Sequence, residues 1–186
     1  MKLLLSVLWF LVTITSIPTI AIGCFKVERD ALITFKAGLK DPGHLLSSWH
    51  GPNCCNWTGV ICDNITEHVV TLNLRNLYDP YDCDDQDSCS DWDSHELSGE
   101  ISPALLSLRH LTHLDISGHD FSNSTIPKFI GSFQNLVYLN LSLSWFGGVI
   151  PHELGNLSRL QILDLSESNF TGLLPPQLGN LSDLWS

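Results

Sequence analysis

The sequence predicts an α/β solenoid: a right-handed superhelix with a parallel β-sheet along its concave side, closed at its start by a disulfide-stapled helical cap. Three observations predict it. Residues 111–183 hold three copies of one pattern at periods of 25, 24 and 24 residues. The stretch before them, residues 24–67, combines a short amphipathic pattern with two tryptophans and four cysteines. An apolar leader precedes both and directs the chain to a compartment where cysteines oxidise.

The repeats carry the argument. Residues 111–135 read LTHLDISGHDFSNSTIPKFIGSFQN, residues 136–159 read LVYLNLSLSWFGGVIPHELGNLSR, and residues 160–183 read LQILDLSESNFTGLLPPQLGNLSD. Each opens with Leu-x-x-Leu-x-Leu/Ile, passes through a Phe and a Leu/Ile-Pro or Pro-Pro step, and closes on a Gly-x-Leu/Phe turn. In an extended strand the last two apolar positions share one face, and the polar residue between them faces the other way. The Phe and the later leucines turn back into the same core. One coil cannot bury such an edge alone, but stacked coils bury it against each other. Each buried Leu, Ile or Phe contributes roughly 1.5–3 kcal/mol, a gain largely offset by ordering the loops. A partial copy lies upstream: Val69 to Leu74 supplies its strand and residues 97–108 its remainder. The repeat region is therefore residues 68–186, about four coils, with an insertion at 76–96.

A solenoid needs a cover over its first coil, and residues 24–67 fit that role. Glu28 to Leu39 reads as a short amphipathic helix with Leu32, Phe35 and Leu39 on one face, ended by Gly38 and Asp41-Pro42. Trp49 and Trp57 are large apolar plugs, with Cys54, Cys55 and Cys62 around the second.

Residues 1–23 read as a secretory signal peptide. Met1-Lys2 gives a basic start, Leu3 to Ile14 is almost wholly apolar, and Ala21-Ile22-Gly23 puts small residues at a cleavage site. The run is too short for a membrane anchor, and Ala21 stands where a bacterial lipoprotein signal usually has Leu. The six cysteines, Cys24, Cys54, Cys55, Cys62, Cys83 and Cys89, all follow the leader. An even number in this setting implies disulfides; six allow 15 pairings, of which those joining the adjacent Cys54 and Cys55 are strained. The formal charge is −11, and loss of Lys2 makes it −12. Such acidity argues against nucleic acid or anionic membrane surfaces as partners.

The pattern Cys24, Glu28-Arg29-Asp30-Ala31-Leu32, Phe35-Lys36, Asp41-Pro42, Leu46-Ser47-Ser48-Trp49, Cys54-Cys55-Asn56-Trp57-Thr58-Gly59-Val60, Cys62 resembles the cap of plant leucine-rich-repeat receptors. The repeats carry the plant-type Leu/Ile-Pro step. Residues 97–110 and 126–132 resemble the receptor-like proteins of defence, such as receptors for fungal ethylene-inducing xylanase. This resemblance implies the pairs Cys24–Cys54 and Cys55–Cys62. It also implies recognition at the plant cell surface, in proteins that continue into many more repeats and a membrane anchor. One departure is internal. The turn after each strand usually carries an Asn whose side chain satisfies backbone groups between coils, and here His119, Ser144 and Ser168 stand there. Ser makes fewer hydrogen bonds than Asn, so weaker stacking is expected.

Solenoids present ligands with the concave face. Its candidates are Thr71, Asn73 and Arg75; His113, Asp115 and Ser117; Tyr138, Asn140 and Ser142; Ile162, Asp164 and Ser166. Of these, Arg75, His113, Asp115, Tyr138, Asn140, Ile162 and Asp164 are the ligand-binding residues expected first. The competing account is that these early coils are scaffold and the ligand binds further along. Sequons mark Asn56, Asn64, Asn123, Asn140, Asn156, Asn169 and Asn180 for glycosylation. Asn56 is wedged beside Cys55, and a glycan on Asn140 would obstruct the concave face.

The insertion, residues 76–96, is Asp-rich and reads as a solvated loop that Cys83 and Cys89 close on itself. A calcium loop of the EF-hand kind needs Gly at its sixth position and Glu at its twelfth, where this segment has Asp87 and Asp93. His110, His113 and His119 fall on a loop, a strand and a turn, so they are not expected to converge on a metal. No phosphate loop, nucleophile elbow or kinase signature is present. The sequence therefore predicts a non-catalytic binding protein with no cofactor. The resemblance implies as partner a protein, peptide or glycan of microbial or endogenous origin, with a co-receptor if the chain continues. It predicts the secretory pathway and the apoplast, or the outer face of the plasma membrane if an anchor follows, without membrane contact from these residues. Two alternatives remain at this level: a secreted inhibitor of microbial wall-degrading enzymes, similar to polygalacturonase-inhibiting proteins, and a truncated product without function of its own.

Overall fold

The computed structural model describes residues 23–77 and 95–185. The expected leader up to residue 22, together with Cys83, Cys89, Asp87 and Asp93, lies outside the described residues.

The chain begins with helix α1 (Lys26–Ala37), two residues earlier than its apolar pattern suggests. Its buried face is Glu28, Ala31, Leu32 and Phe35. Gly38 stops it, donating its N–H back to the carbonyls of Lys36 and Phe35. Leu39 is therefore not on the helix face expected for it. It belongs to strand β1 (Leu39–Lys40), because the chain turns at Gly38 before that residue can complete the stripe.

Trp49 and Trp57 are buried with their rings stacked at 5.5 Å. Phe35 meets Trp49 at 6.3 Å. The polar tips are satisfied: Trp49 Nε1 donates to the Thr58 carbonyl at 2.9 Å and Trp57 Nε1 to the His50 carbonyl at 2.7 Å. Large rings contribute most when their N–H groups find acceptors. Disulfides Cys24–Cys54 and Cys55–Cys62 tie α1 and strand β2 (Val60–Cys62) to the short 3₁₀ turn Cys54–Asn56 between them.

Strand β3 (Val69–Asn73) opens the repeats and pairs antiparallel with β2. Strand β4 (Ser98–Gly99) pairs antiparallel with β1, a second tie between cap and first coil. Strands β5 (His113–Asp115) and β6 (Tyr138–Asn140) follow, then β7 (Gly147–Gly148), β8 (Ile162–Asp164) and β9 (Asn169–Phe170). The main sheet has the order β2-β3-β5-β6-β8. From β3 onward it is parallel, with Leu72, Leu114, Leu139 and Leu163 in one register. The antiparallel first strand comes from the cap, which thus covers the sheet edge as well as the core.

Opposite the sheet, each coil returns through a 3₁₀ turn: Pro103–Ser107, Lys128–Ser132, His152–Asn156 and Pro176–Asn180. Extended residues Pro127, Pro151 and Pro175 start the last three, which is what the Pro step achieves. The Gly of the closing turn is required by packing. A Cβ on Gly131 would stand 2.1 Å from the Glu153 carbonyl oxygen, and one on Gly155 2.3 Å from that of Gln177. Between sheet and turns, Phe121 and Phe146 stack at 4.9 Å.

The ladder position departs from expectation. His119 is fully buried, and both ring nitrogens are engaged: Nε2 with the Leu74 carbonyl at 2.6 Å, Nδ1 with the Leu97 N–H at 3.0 Å. Ser144 Oγ reaches the Ile116 carbonyl at 2.7 Å and the Ser142 carbonyl at 3.0 Å. Weak stacking is thus corrected at His119, whose ring is long enough to serve two backbone groups. Ser168 reaches only the Ser166 carbonyl of its own coil, at 3.4 Å.

Candidate recognition surface

The parallel register sets two rows of side chains across the sheet. Thr71, His113, Tyr138 and Ile162 form the first, and Asn73, Asp115, Asn140 and Asp164 the second. Residues next to each other in these rows are 24 to 42 positions apart in the chain, so only stacking brings them together.

The first row is presented outward. His113 is exposed, Thr71 and Tyr138 are half-buried, and Ile162 is 45% exposed. The rings of His113 and Tyr138 stack at 5.9 Å, 20° from parallel. An apolar and aromatic strip therefore runs over adjacent coils.

The second row is largely spent on the fold. Asp115 is 5% exposed and Asn140 7%. Asp115 Oδ1 accepts from the Ser117 N–H at 3.0 Å and its hydroxyl at 2.6 Å. Asn140 repeats this with Ser142, and Asp164 with Ser166. Such Asx turns end each strand by giving its next backbone N–H a side-chain acceptor. Asp115 Oδ2 then accepts from the Tyr138 hydroxyl and from Asn140 Nδ2, each at 3.2 Å. Asn140 Nδ2 also donates to the Tyr138 oxygen at 3.3 Å. Partial burial above all, with the charges of Asp115 and Asp164, raises the Tyr138 phenol above its ordinary range against the opposing effect of Asn140. It stays a neutral O–H donor in this triangle.

These contacts sort the expected ligand residues. His113, Tyr138 and Ile162 face outward in one strip, and Arg75 is exposed beyond it. Asp115 and Asn140 brace the strip from beneath instead of projecting from it, and Ser117 and Ser142 are buried with them. Asp164 is half-buried, with Oδ1 already taken by Ser166. The sequon residues sort as well. Asn56, Asn64, Asn123, Asn156, Asn169 and Asn180 are exposed. Asn140 is the exception: the residue is only 7% exposed, and the nitrogen to which a glycan would attach already donates toward Asp115 and Tyr138. The expectation of a glycan there conflicts with this geometry. Among the described residues no group of three or more His, Cys, Asp or Glu is arranged to hold a metal.

Trp145, not among the expected ligand residues, stands 52% exposed at a left-handed φ of 50°. Its only sequence signal is a large apolar residue where the neighbouring repeats have Asp120 and Asn169.

Coils of this period, with a cap stapled by two disulfides and a braced concave strip, define an extracellular-type leucine-rich-repeat module. The family model for the leucine rich repeat N-terminal domain matches residues 26–63, and that for the leucine rich repeat matches 135–157 and 159–181. The chain thus carries leucine-rich-repeat N-terminal and repeat sequences and is similar to plant receptor-like proteins. It is 44% identical over 134 residues to receptor-like protein EIX1 of Solanum lycopersicum and 46% identical over 126 residues to EIX2 of the same plant. The alignments cover 68% and 67% of this chain but only 12% of each relative, so the chain spans a small part of their length. Among solved structures, the BIR3–SERK2 complex of Arabidopsis thaliana is similar at a TM-score of 0.68 and 34% identity, over 83% of this chain and 76% of that one. The BIR2 ectodomain of the same plant is similar at 0.68 and 29%, over 87% and 77%.

Proposed function

We propose that this chain is a non-catalytic recognition module of a plant cell-surface receptor-like protein, displayed outside the cell. The observation that carries the reading is the strip Thr71–His113–Tyr138–Ile162. Asp115 and Asn140 beneath it are buried and hydrogen-bonded, so the strip is braced to meet a partner. Two disulfides and six exposed sequon asparagines support passage through the secretory pathway, with cleavage of residues 1–23 and glycosylation at the surface. Domains at 24–67 and 68–186, with an acidic loop at 76–96, belong to the same proposal.

The partner class is a protein, peptide or glycan, with a co-receptor in the assembled receptor. Relatives among solved structures include PEPR1 with the peptide AtPEP1 and BIR3 with SERK2. The test is surface plasmon resonance of the folded chain against a microbial wall-degrading enzyme, a fungal xylanase, with His113→Ala and Tyr138→Ala. Binding that falls tenfold or more in both variants supports the concave strip. Equal binding by the variants assigns these coils to scaffold, and no binding by the unmodified chain removes this ligand class.

A further inference from the structure

The flank of the solenoid where the strands begin carries a second set of side chains, apart from the concave strip. Phe25, His68 and His110 stack there as a column, with centroids 4.2 Å and 3.9 Å apart. They come from the cap, the loop before β3 and the first repeat. Glu28 fixes the middle ring: Oε1 lies 3.0 Å from His68 Nδ1, while Oε2 accepts from the Val69 N–H at 3.1 Å. His110 borders two cavities. One, of about 440 Å³, is lined in part by Val27, Leu106 and Arg109. The other, of about 270 Å³, is lined by Asp63, Thr66, Val70, Thr112, Asn135 and Arg159 besides His110.

Arg159 distinguishes the second cavity. The chain has nine Lys and Arg against 20 Asp and Glu, yet Arg159 takes part in none of the salt bridges among the described residues. Instead NH1 donates to Asn135 Oδ1 at 3.1 Å, and Asn135 Nδ2 donates to the Arg109 carbonyl at 2.9 Å. A neutral amide thus orients a guanidinium that forms no ion pair among the described residues, although Asp63 lines the same cavity. The carboxylate in the cavity, Asp63, is engaged through Oδ1, which accepts from the N–H groups of Ile65 and Thr66 and from the Thr66 hydroxyl. An oriented guanidinium with free donors recognises carboxylates by charge-assisted hydrogen bonds.

We propose that this flank cavity is a docking site for an acidic side chain of a protein partner, with Arg159 as its anion contact and His110 as its wall. The exposed apolar residues beside the column, Phe25, Val27 and Leu106, suit an aliphatic neighbour of that acidic residue. The site lies outside the concave strip and does not rest on the function proposed for it.

The test is an NMR titration of the folded chain, carried out in an Asn64→Gln background so that no glycan stands on the adjoining loop. The probe is the blocked peptide N-acetyl-Leu-Gly-Glu-amide, compared with its Gln counterpart. The expected result is saturable shifts at His110, Thr112 and Arg159 with the Glu peptide, at least tenfold weaker with the Gln peptide. Arg159→Gln should remove them, and Arg159→Lys should restore part. Equal binding of both peptides, no saturable shift at these residues, or binding unchanged in Arg159→Gln overturns the proposal. A third arm uses a hexuronate: tighter binding of that sugar acid at the same residues would replace the protein partner with an acidic glycan.

Discussion

His119 Nε2 lies 2.6 Å from the carbonyl oxygen of Leu74, while Nδ1 of the same ring accepts the N–H of Leu97. One imidazole therefore joins the two residues between which the acidic insertion leaves and re-enters the first coil. The arrangement needs a neutral ring with its proton on Nε2, because protonation would remove the acceptor at Nδ1.

Acid should weaken this joint. Burial above all lowers the His119 pKa from 6.5 to about 4, despite the opposing hydrogen bond to Leu74. The unfolded chain then takes up the proton first. The stabilising contribution is complete above pH ~6.5 and lost as pH falls toward ~4, on the order of 3 kcal/mol in all. Melting curves across that window should show a steeper loss for the native chain than for His119→Asn. Parallel losses would show that this ring does not drive the acid response.

Ser168 leaves a ladder position incompletely used. Ser144 reaches the previous coil at Ile116, but Ser168 bonds only within its own. Ser168→Asn, which can donate two protons, should raise stability by about 1 kcal/mol, read as an increase in Tm. No increase would mean the longer side chain fails to bridge the coils.

A left-handed backbone recurs at one position of three coils, at Gly118 with φ 75°, Leu143 with φ 52° and Glu167 with φ 51°. Only the first is the residue that adopts it without steric cost. Exposed Glu167 is the place to test this: Glu167→Gly should gain about 0.5–1 kcal/mol, whereas Gly118→Ala should lose about 1–2 kcal/mol, in denaturant titration. Loss of stability in Glu167→Gly would show that strain is not limiting there.

Glu28 joins cap to sheet through a 2% exposed carboxylate bonded to His68 and to the Val69 N–H. Glu28→Ala strands that buried donor and should cost about 2–3 kcal/mol. Glu28→Gln keeps one acceptor and should cost less. Equal losses in chemical denaturation would point to volume as the main contribution.

Peptide mapping of the protein expressed through a plant secretory pathway should find glycans among the six exposed sequons and Asn140 unmodified in the folded fraction. Substantial occupancy at Asn140 would contradict the triangle it forms with Asp115 and Tyr138.

Much of the fold was legible because it rests on local periodicity. The register of Leu72, Leu114, Leu139 and Leu163 follows from the repeat spacing alone. The helix was readable too, though Leu39 shows the limit: Gly38 turns the chain before the apolar stripe is complete. The candidate surface was half legible. Polar residues in a strand were identified as concave, but pattern alone could not divide those that face a partner from those that brace the sheet.

By itself, the sequence determined the solenoid, its sheet and its cap, since apolar spacing, the Pro step and the cysteines act along the chain or between adjacent coils. Only the tertiary structure decided the uses of the polar residues. It withdrew Asp115 and Asn140 beneath Tyr138, gave His119 both ends of an insertion, and brought His110 and Arg159 to one cavity. The physical reason is that a polar side chain's role depends on neighbours a whole coil or more away, and stacking geometry selects those neighbours.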